Sequence, residues 1–487
     1  MVFSSFEFIF VFLPVAICGY YLFARKSIRA SNIWLLFASF CFYAWWSIRF
    51  IFLLVFSILF NYVLGRVIGC STRFKKLFLV IGILANAGLL IFFKYTNFFI
   101  FSINRFFKTD WNFINIILPL GISFYTFQAL SYVIDVYQGR TCAEKSVLNL
   151  ALYISLFPQL IAGPIVDHKM MIPQFDAEEN HKLNYKNLAF GFTLFSLALF
   201  KKVVIADRLS PLVANIFTRD AGSLTTLDAW VGVIAYTFQL YFDFSAHSEM
   251  AIGLGKMFNF TFPSNFDSPY QATSIIDFWR RWHMTLGSWI KNYIYIPLGG
   301  NRKGQARKML NLFTSMAVCG FWHGAGFHFI VWGMFHGVLL VINHTWRKFA
   351  KEHDFQIPKF ICFILTFGFV CAGWAIFRAD DLHHGLIICK KMINYRTFVL
   401  PAGGKIENMF AFLNYLGVKF VNLSDYPYSL LLGLATVVFC VPNAQKLTER
   451  YFSANLKWLF IAFAALFYSL YVMAGNQNLQ EFLYFQF

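Results

Sequence analysis

The sequence predicts an all-α polytopic membrane protein with roughly 11–13 transmembrane or re-entrant helices. Three observations predict it. Only 13% of the 487 residues are charged, where a soluble domain carries about 25%. Hydrophobic residues make up 59% of the chain, and its mean hydropathy is +0.58. The apolar residues also fall in blocks, the longest of them near the length of about 20 residues needed to cross a bilayer.

The first block, 6–24, has no basic segment ahead of it, and Arg25, Lys26 and Arg29 follow it. It is expected to stay as a first helix rather than be cleaved as a signal. Blocks 33–46 and 50–64 have only Arg49 between them, and Arg66, Arg73, Lys75 and Lys76 come next. Basic residues favour the cytoplasmic side, so the N-terminus is expected on the outer face. Blocks 77–93, 114–134, 147–161, 188–200 and 230–242 follow. Lys201, Lys202 and Arg208 keep the same parity, whereas Lys94, Arg105 and Lys108 run against it. The remaining blocks are 309–321, 328–342, 360–377, 428–441 and 459–474. Several are short, and these are expected to be tilted or re-entrant. The polar stretches 168–187, 347–359 and 394–425 are expected as loops, and 1–487 as one domain without repeats.

Segment 275–293 differs in kind. Trp279, Trp282, Leu286, Trp289, Ile290 and Tyr293 recur at three- and four-residue steps. They share one helical face, with Asp277, Arg280, Arg281, Thr285, Ser288 and Lys291 on the other. This predicts an amphipathic helix at the membrane interface. His283 falls on its seam, about 40° from Trp279.

Ionisable groups at membrane depth raise a functional hypothesis. His323 closes an apolar run, with Gly320 before it and Gly324 and Gly326 after it. A neutral imidazole there could act as a general base, or it could be a hydrogen-bonded histidine ending a helix. His283 lies 40 positions earlier and could converge on the same site. A helical His323 would stand about 140° from His328, and no metal set is expected. Asn311 is either an oxyanion or hydroxyl donor or a cap at the start of the His323 helix. Asp243, among aromatics, is expected to pair with an arginine, Arg280 or Arg281, or to cap a helix. Tyr484 in the aromatic tail is either an interfacial anchor or a nucleophile beside a base.

The net charge is +18. Basic loops facing anionic lipid account for it, so membrane lipid is expected as a partner and nucleic acid is not. The nine cysteines form no CxxC pair. Cys18, Cys41, Cys362, Cys371 and Cys440 lie in apolar blocks and are expected as small core residues.

Several runs resemble the membrane-bound O-acyltransferases, in particular the bacterial alginate O-acetylase and peptidoglycan O-acetyltransferase branch. They include Phe278-Trp279-Arg280-Arg281-Trp282-His283, Leu298-Gly299-Gly300-Asn301-Arg302, and Asn311 through Trp322-His323-Gly324. Gln239-Leu240-Tyr241-Phe242-Asp243-Phe244-Ser245 and Phe157-Pro158-Gln159-Leu160 also match. Where the family continues with Gly-Tyr-Ser-Asp, this chain has Ala246-His247-Ser248-Glu249.

The resemblance implies a helical barrel-like fold around a central tunnel in a bacterial cytoplasmic membrane. It implies a catalytic His323 assisted by His283. It further implies a Tyr484 that carries the acyl group as a relay. Asn311, Trp322, Arg280, Arg281 and Asp243 would surround the substrate. The donor would be acetyl-coenzyme A or an acyl-carrier thioester, with no bound cofactor. An extracytoplasmic transferase partner would take the acyl group to a polysaccharide, peptidoglycan or alginate. The alternatives are a lipid or protein O-acyltransferase, or a transporter. A transporter would need no proton acceptor at His323.

Overall fold

The computed structural model describes residues 1–71, 73–161, 163–394, 399–402, 419–422, 428–475 and 482–483. Among the described residues its regular structure is helical apart from two four-residue strands, Val399–Ala402 and Lys419–Asn422, which pair in parallel. Among the described residues six helices are long and apolar enough to cross a membrane: Arg49–Cys70, Lys75–Phe107, Tyr185–Phe217, Phe327–Glu352, Lys359–Arg378 and Leu456–Gly475. The bent pair Tyr428–Cys440 and Ala444–Tyr451 makes a seventh if counted as one span, and Phe8–Ala24 and Ile28–Ala44 are shorter apolar helices.

Of the other expected blocks, 230–242 and 309–321 lie within the longer helices Thr226–Met257 and Gly304–His323, and two are broken or shorter. In 114–134 the helix begins only at Ile122. Block 147–161 stops at Leu156, whose ψ of 117° leaves the helical region shortly before Pro158. Segment 168–187 was expected as a loop but contains the helix His168–Asp176. Most of 394–425 lies outside the described residues. The lipid-facing surfaces are apolar: Phe52, Phe460 and Phe467 are each about three-quarters exposed, as bilayer hydrocarbon permits. For the same reason Cys18, Cys41 and Cys440 lie on the outside, and only Cys371 of the five expected core cysteines is buried.

The chain forms two compact units. The first comprises Met1–Phe200, Ser245–Asn265 and Ala444–Gly475. Its core holds Phe3, Phe8, Phe42 and Phe157, with neighbouring ring centroids 5.0–6.2 Å apart. Asn61 and Asn86 exchange amide hydrogen bonds between two helices at 3.2 and 2.9 Å. Each amide also donates to the carbonyl four residues before it. Such satisfied polar pairs join helices where lipid gives no hydrophobic drive. His247 stacks on Phe3 at 4.9 Å and the Ser248 hydroxyl accepts from the Asn265 amide, so the atypical Ala246–Glu249 run has packing roles here.

The second unit comprises Lys201–Phe244, Phe266–Asn443 and Asn476–Phe487. It contains every described candidate site residue. The helix Gly304–His323 turns back at Gly324 into Phe327–Glu352. Gly320 and Gly333 let these backbones meet: a Cβ on Gly333 would lie 2.4 Å from the Met316 carbonyl oxygen and 2.8 Å from the Gly320 Cα. The sequence segment expected as one amphipathic helix over 275–293 is instead two short helices, Ile275–Arg281 and Met284–Ile290, followed by the π-turn Lys291–Tyr295. The break is His283, whose φ is +43°. Trp282 and His283 thereby leave the helical register that the periodicity assumed.

Candidate active site

His323 is the last residue of its helix and is 4% exposed. Its ring meets Trp332 edge-on at 5.1 Å and Phe377 at 5.4 Å. Trp332 comes from the next helix, which the glycine contact holds close. Trp322 lies 4.9 Å from the His323 ring and 6.4 Å from the His283 ring. The two motif histidines therefore lie on either side of one indole.

His283 is 1% exposed. Its imidazole meets the Phe244 ring edge-on at 4.7 Å and lies near Phe266. Burial pushes its pKa down to about 3 from an ordinary 6.5, so the ring is neutral at neutral pH. A positive φ is uncommon outside glycine, although histidine, asparagine and aspartate tolerate it better than most residues. Such backbone conformations cluster at functional sites.

The other candidate residues divide. Arg281 is occupied: its Nε donates to both Asp277 oxygens at 3.0 and 3.1 Å, and its Nη1 donates to the Asp267 carbonyl at 3.3 Å. It ties the loop before the motif helix to that helix. Asn311 is not at the helix start, because the helix begins at Gly304. It is buried, and its amide donates to the Gly300 carbonyl at 2.9 Å. That bond fixes the turn in which Gly299 and Gly300 have φ of +109° and +55°, values that glycine adopts without strain.

Asp243 pairs with neither arginine. It lies within the helix Thr226–Met257, and Lys202 Nζ sits 2.6 Å from its Oδ1. Lys202 also donates to Asp207 at 2.8 Å. Sequence reasoning used Lys202 only for orientation. The available signal was a lysine continuing an apolar block, a placement that usually marks function in a membrane protein. Also unassigned from sequence, His336 is fully buried, with its ring 5.1 Å from Trp332. Tyr484 lies outside the described residues, but Phe482 and Leu483 are described. Phe482 packs on Phe244 at 5.8 Å, and the Leu483 backbone N–H donates to Asp243 Oδ2 at 2.9 Å.

Arg280 lines an open cavity of about 900 Å³ with Lys291, Arg302, Lys303, Lys308 and His344. Lys308, Leu312, Ser315, Met316 and Cys319 form part of its wall. Their spacing places them on one face of the helix that His323 ends. From Lys308 to His323 the helix rises about 22 Å at 1.5 Å per residue. The cavity is therefore basic at one end and reaches Cys319, one turn before His323. Among the described residues no three His, Cys, Asp or Glu side chains are grouped to hold a metal ion.

Comparison with known proteins places the chain in a family. The membrane-bound O-acyltransferase family pattern matches residues 143–379. The peptidoglycan O-acetyltransferase of Helicobacter pylori is 38% identical over 522 aligned positions, covering 100% of this chain and 98% of the relative. The chain belongs to the membrane-bound O-acyltransferase family. It is a multi-pass membrane enzyme that transfers acyl groups to oxygen. The probable alginate O-acetylase AlgI of Pseudomonas aeruginosa is 42% identical, covering 82% of this chain and 76% of the relative. The teichoic acid D-alanyltransferase of Bacillus subtilis is 25% identical, covering 55% of this chain and 71% of the relative. A buried neutral imidazole can take a proton from a hydroxyl, and a basic cavity attracts anions.

Proposed function

We propose that this chain moves an acetyl group from a cytoplasmic thioester across a bacterial cytoplasmic membrane for O-acetylation of a cell-envelope polysaccharide, peptidoglycan or alginate. Its N-terminus faces the outer side, and the whole chain works as one enzyme. The observation that carries this reading is the convergence of His283 and His323 on Trp322. The full-length similarity to a peptidoglycan O-acetyltransferase supports the acceptor class.

In this reading the basic cavity receives the anionic part of acetyl-coenzyme A or an acyl-carrier thioester. The thioester is already activated, so the protein's task is to orient the hydroxyl, remove its proton and exclude water. His323 takes the proton of the Tyr484 phenol as its oxygen attacks the thioester carbonyl. The carbon–sulfur bond breaks, and the thiolate leaves and is protonated from His323. The products are an acetyl-tyrosine ester and a free thiol. A serine of an extracytoplasmic transferase partner then attacks the ester, regenerating the phenol and passing acetyl toward the polymer. Arg280 contributes to the donor cavity, and Trp322 forms the wall between the two imidazoles.

The test is to incubate membranes containing the protein with labelled acetyl-coenzyme A and to map base-labile acetyl by mass spectrometry. Native protein is compared with His323→Ala and Tyr484→Phe. Label on Tyr484 that is lost in both variants is the expected result. Label that persists at the native level in His323→Ala would overturn the base assignment. Label that persists in Tyr484→Phe would remove the relay.

A further inference from the structure

A buried charge cluster meets Leu483 near the C-terminus. Lys202, Asp207 and Asp243 are 4%, 6% and 1% exposed. The single ammonium lies 2.8 Å from Asp207 and 2.6 Å from Asp243. Two carboxylates against one cation leave unmet acceptor capacity, and buried anions need every hydrogen bond they can collect. One of those bonds comes from 240 residues away: the Leu483 N–H donates to the second Asp243 oxygen at 2.9 Å. Hydrogen bonds to an ionised carboxylate are among the stronger kinds.

We propose that Lys202, Asp207 and Asp243 form a clamp that docks the C-terminal segment in the histidine site through the Leu483 backbone N–H. The proposal rests on the tyrosine-relay reading and gives it a positioning device. Lys202 fixes the Asp243 carboxylate so that one oxygen faces the tail. The tail is held by its main chain, so its register is set whatever side chain stands at 483. Phe482 adds an apolar contact with Phe244, the same ring that meets His283 edge-on. Both described tail residues are thus tied to the wall of the site, and Tyr484 is the next residue along the chain. Asp243, expected from the sequence to bind substrate, serves as a positioning residue for a substrate that belongs to the protein itself.

The experiment uses the full chain in lipid nanodiscs and makes two measurements: hydrogen–deuterium exchange of the C-terminal peptide, and acetyl transfer from labelled acetyl-coenzyme A to the tail. Leu483→Pro removes the donor while leaving every buried charge in place. Leu483→Ala keeps the donor. Asp243→Asn weakens the acceptor. The expected result is native-like protection of the tail in Leu483→Ala and Tyr484→Phe. Leu483→Pro and Asp243→Asn should lose that protection, and acetyl on the tail should fall at least ten-fold. Leu483→Pro keeping native protection, or keeping native transfer after protection is lost, would overturn the clamp. If Tyr484→Phe still accepts acetyl on the tail, the relay fails, and the exchange measurement alone decides the clamp. It also decides if acetyl-coenzyme A labels nothing.

Discussion

His323 closes a regular 20-residue helix, whereas His283 interrupts what would otherwise be one. Both rings lie against Trp322 and both are buried, yet the backbone holds them differently. His323 is positioned by packing: two glycines bring its helix against the next, and Trp332 and Phe377 wall the ring. His283 is positioned by its own dihedral angles, with φ at +43°. A packed helix end tolerates changes of side chain but not added bulk at the glycines. A kink centred on the histidine is sensitive to which residue can adopt a left-handed conformation.

If the two histidines differ in this way, their variants should separate. The largest effect belongs to His323→Ala. Removing the proposed general base should lower acyl transfer about 10²–10⁴-fold with the purified protein still folded by circular dichroism. An equal loss in His283→Asn would erase the distinction between base and assistant.

Gly333→Val tests the packed side of the comparison. Its side chain would meet the Met316 carbonyl and the Gly320 backbone. Overpacking of this kind costs about 1–3 kcal/mol, so the thermal midpoint in detergent should drop and activity should fall with it. The corresponding test at the kink is His283→Ala against His283→Asn. Alanine pays the left-handed penalty of about 1–2 kcal/mol, which asparagine largely avoids. The alanine variant should therefore melt lower than the asparagine variant, although both lack the imidazole.

A smaller effect should appear with pH. The folded state holds the His283 pKa at about 3 against 6.5. Between those values the unfolded chain binds a proton that the folded chain does not. Stability from this group is present above pH 6.5 and is lost as pH falls toward 3. Melting curves from pH 7 to pH 4 should show that decline, and His283→Asn should make it shallower. The smallest effect is expected at the cavity. Lys308→Gln should raise the KM for an anionic thioester a few-fold, with the difference shrinking at high salt.

The sequence by itself determined the solvent and the class. Too few charges and too many long apolar blocks leave only a helical membrane protein, because lipid cannot satisfy open backbone groups. It also singled out both histidines as candidates, since an ionisable group bordering an apolar run stands out against its neighbours, and their motifs carried the family. Three things needed the tertiary structure. Periodicity put His283 on a continuous helix because a local pattern contains no record of a single residue turning left-handed. Asp243 was expected to pair with an arginine or to cap a helix, because neither a cation on a separate helix nor a backbone donor 240 positions away is encoded in local spacing. Its cation is Lys202, and its second oxygen is taken by the chain's own tail. The sequence grouped Lys291, Arg302, Lys303, Arg307 and Lys308 as a basic cluster, but it did not show the cavity that all of these except Arg307 line. Folding decided which of them share a wall, because a pocket is a property of surfaces brought together and not of any one segment.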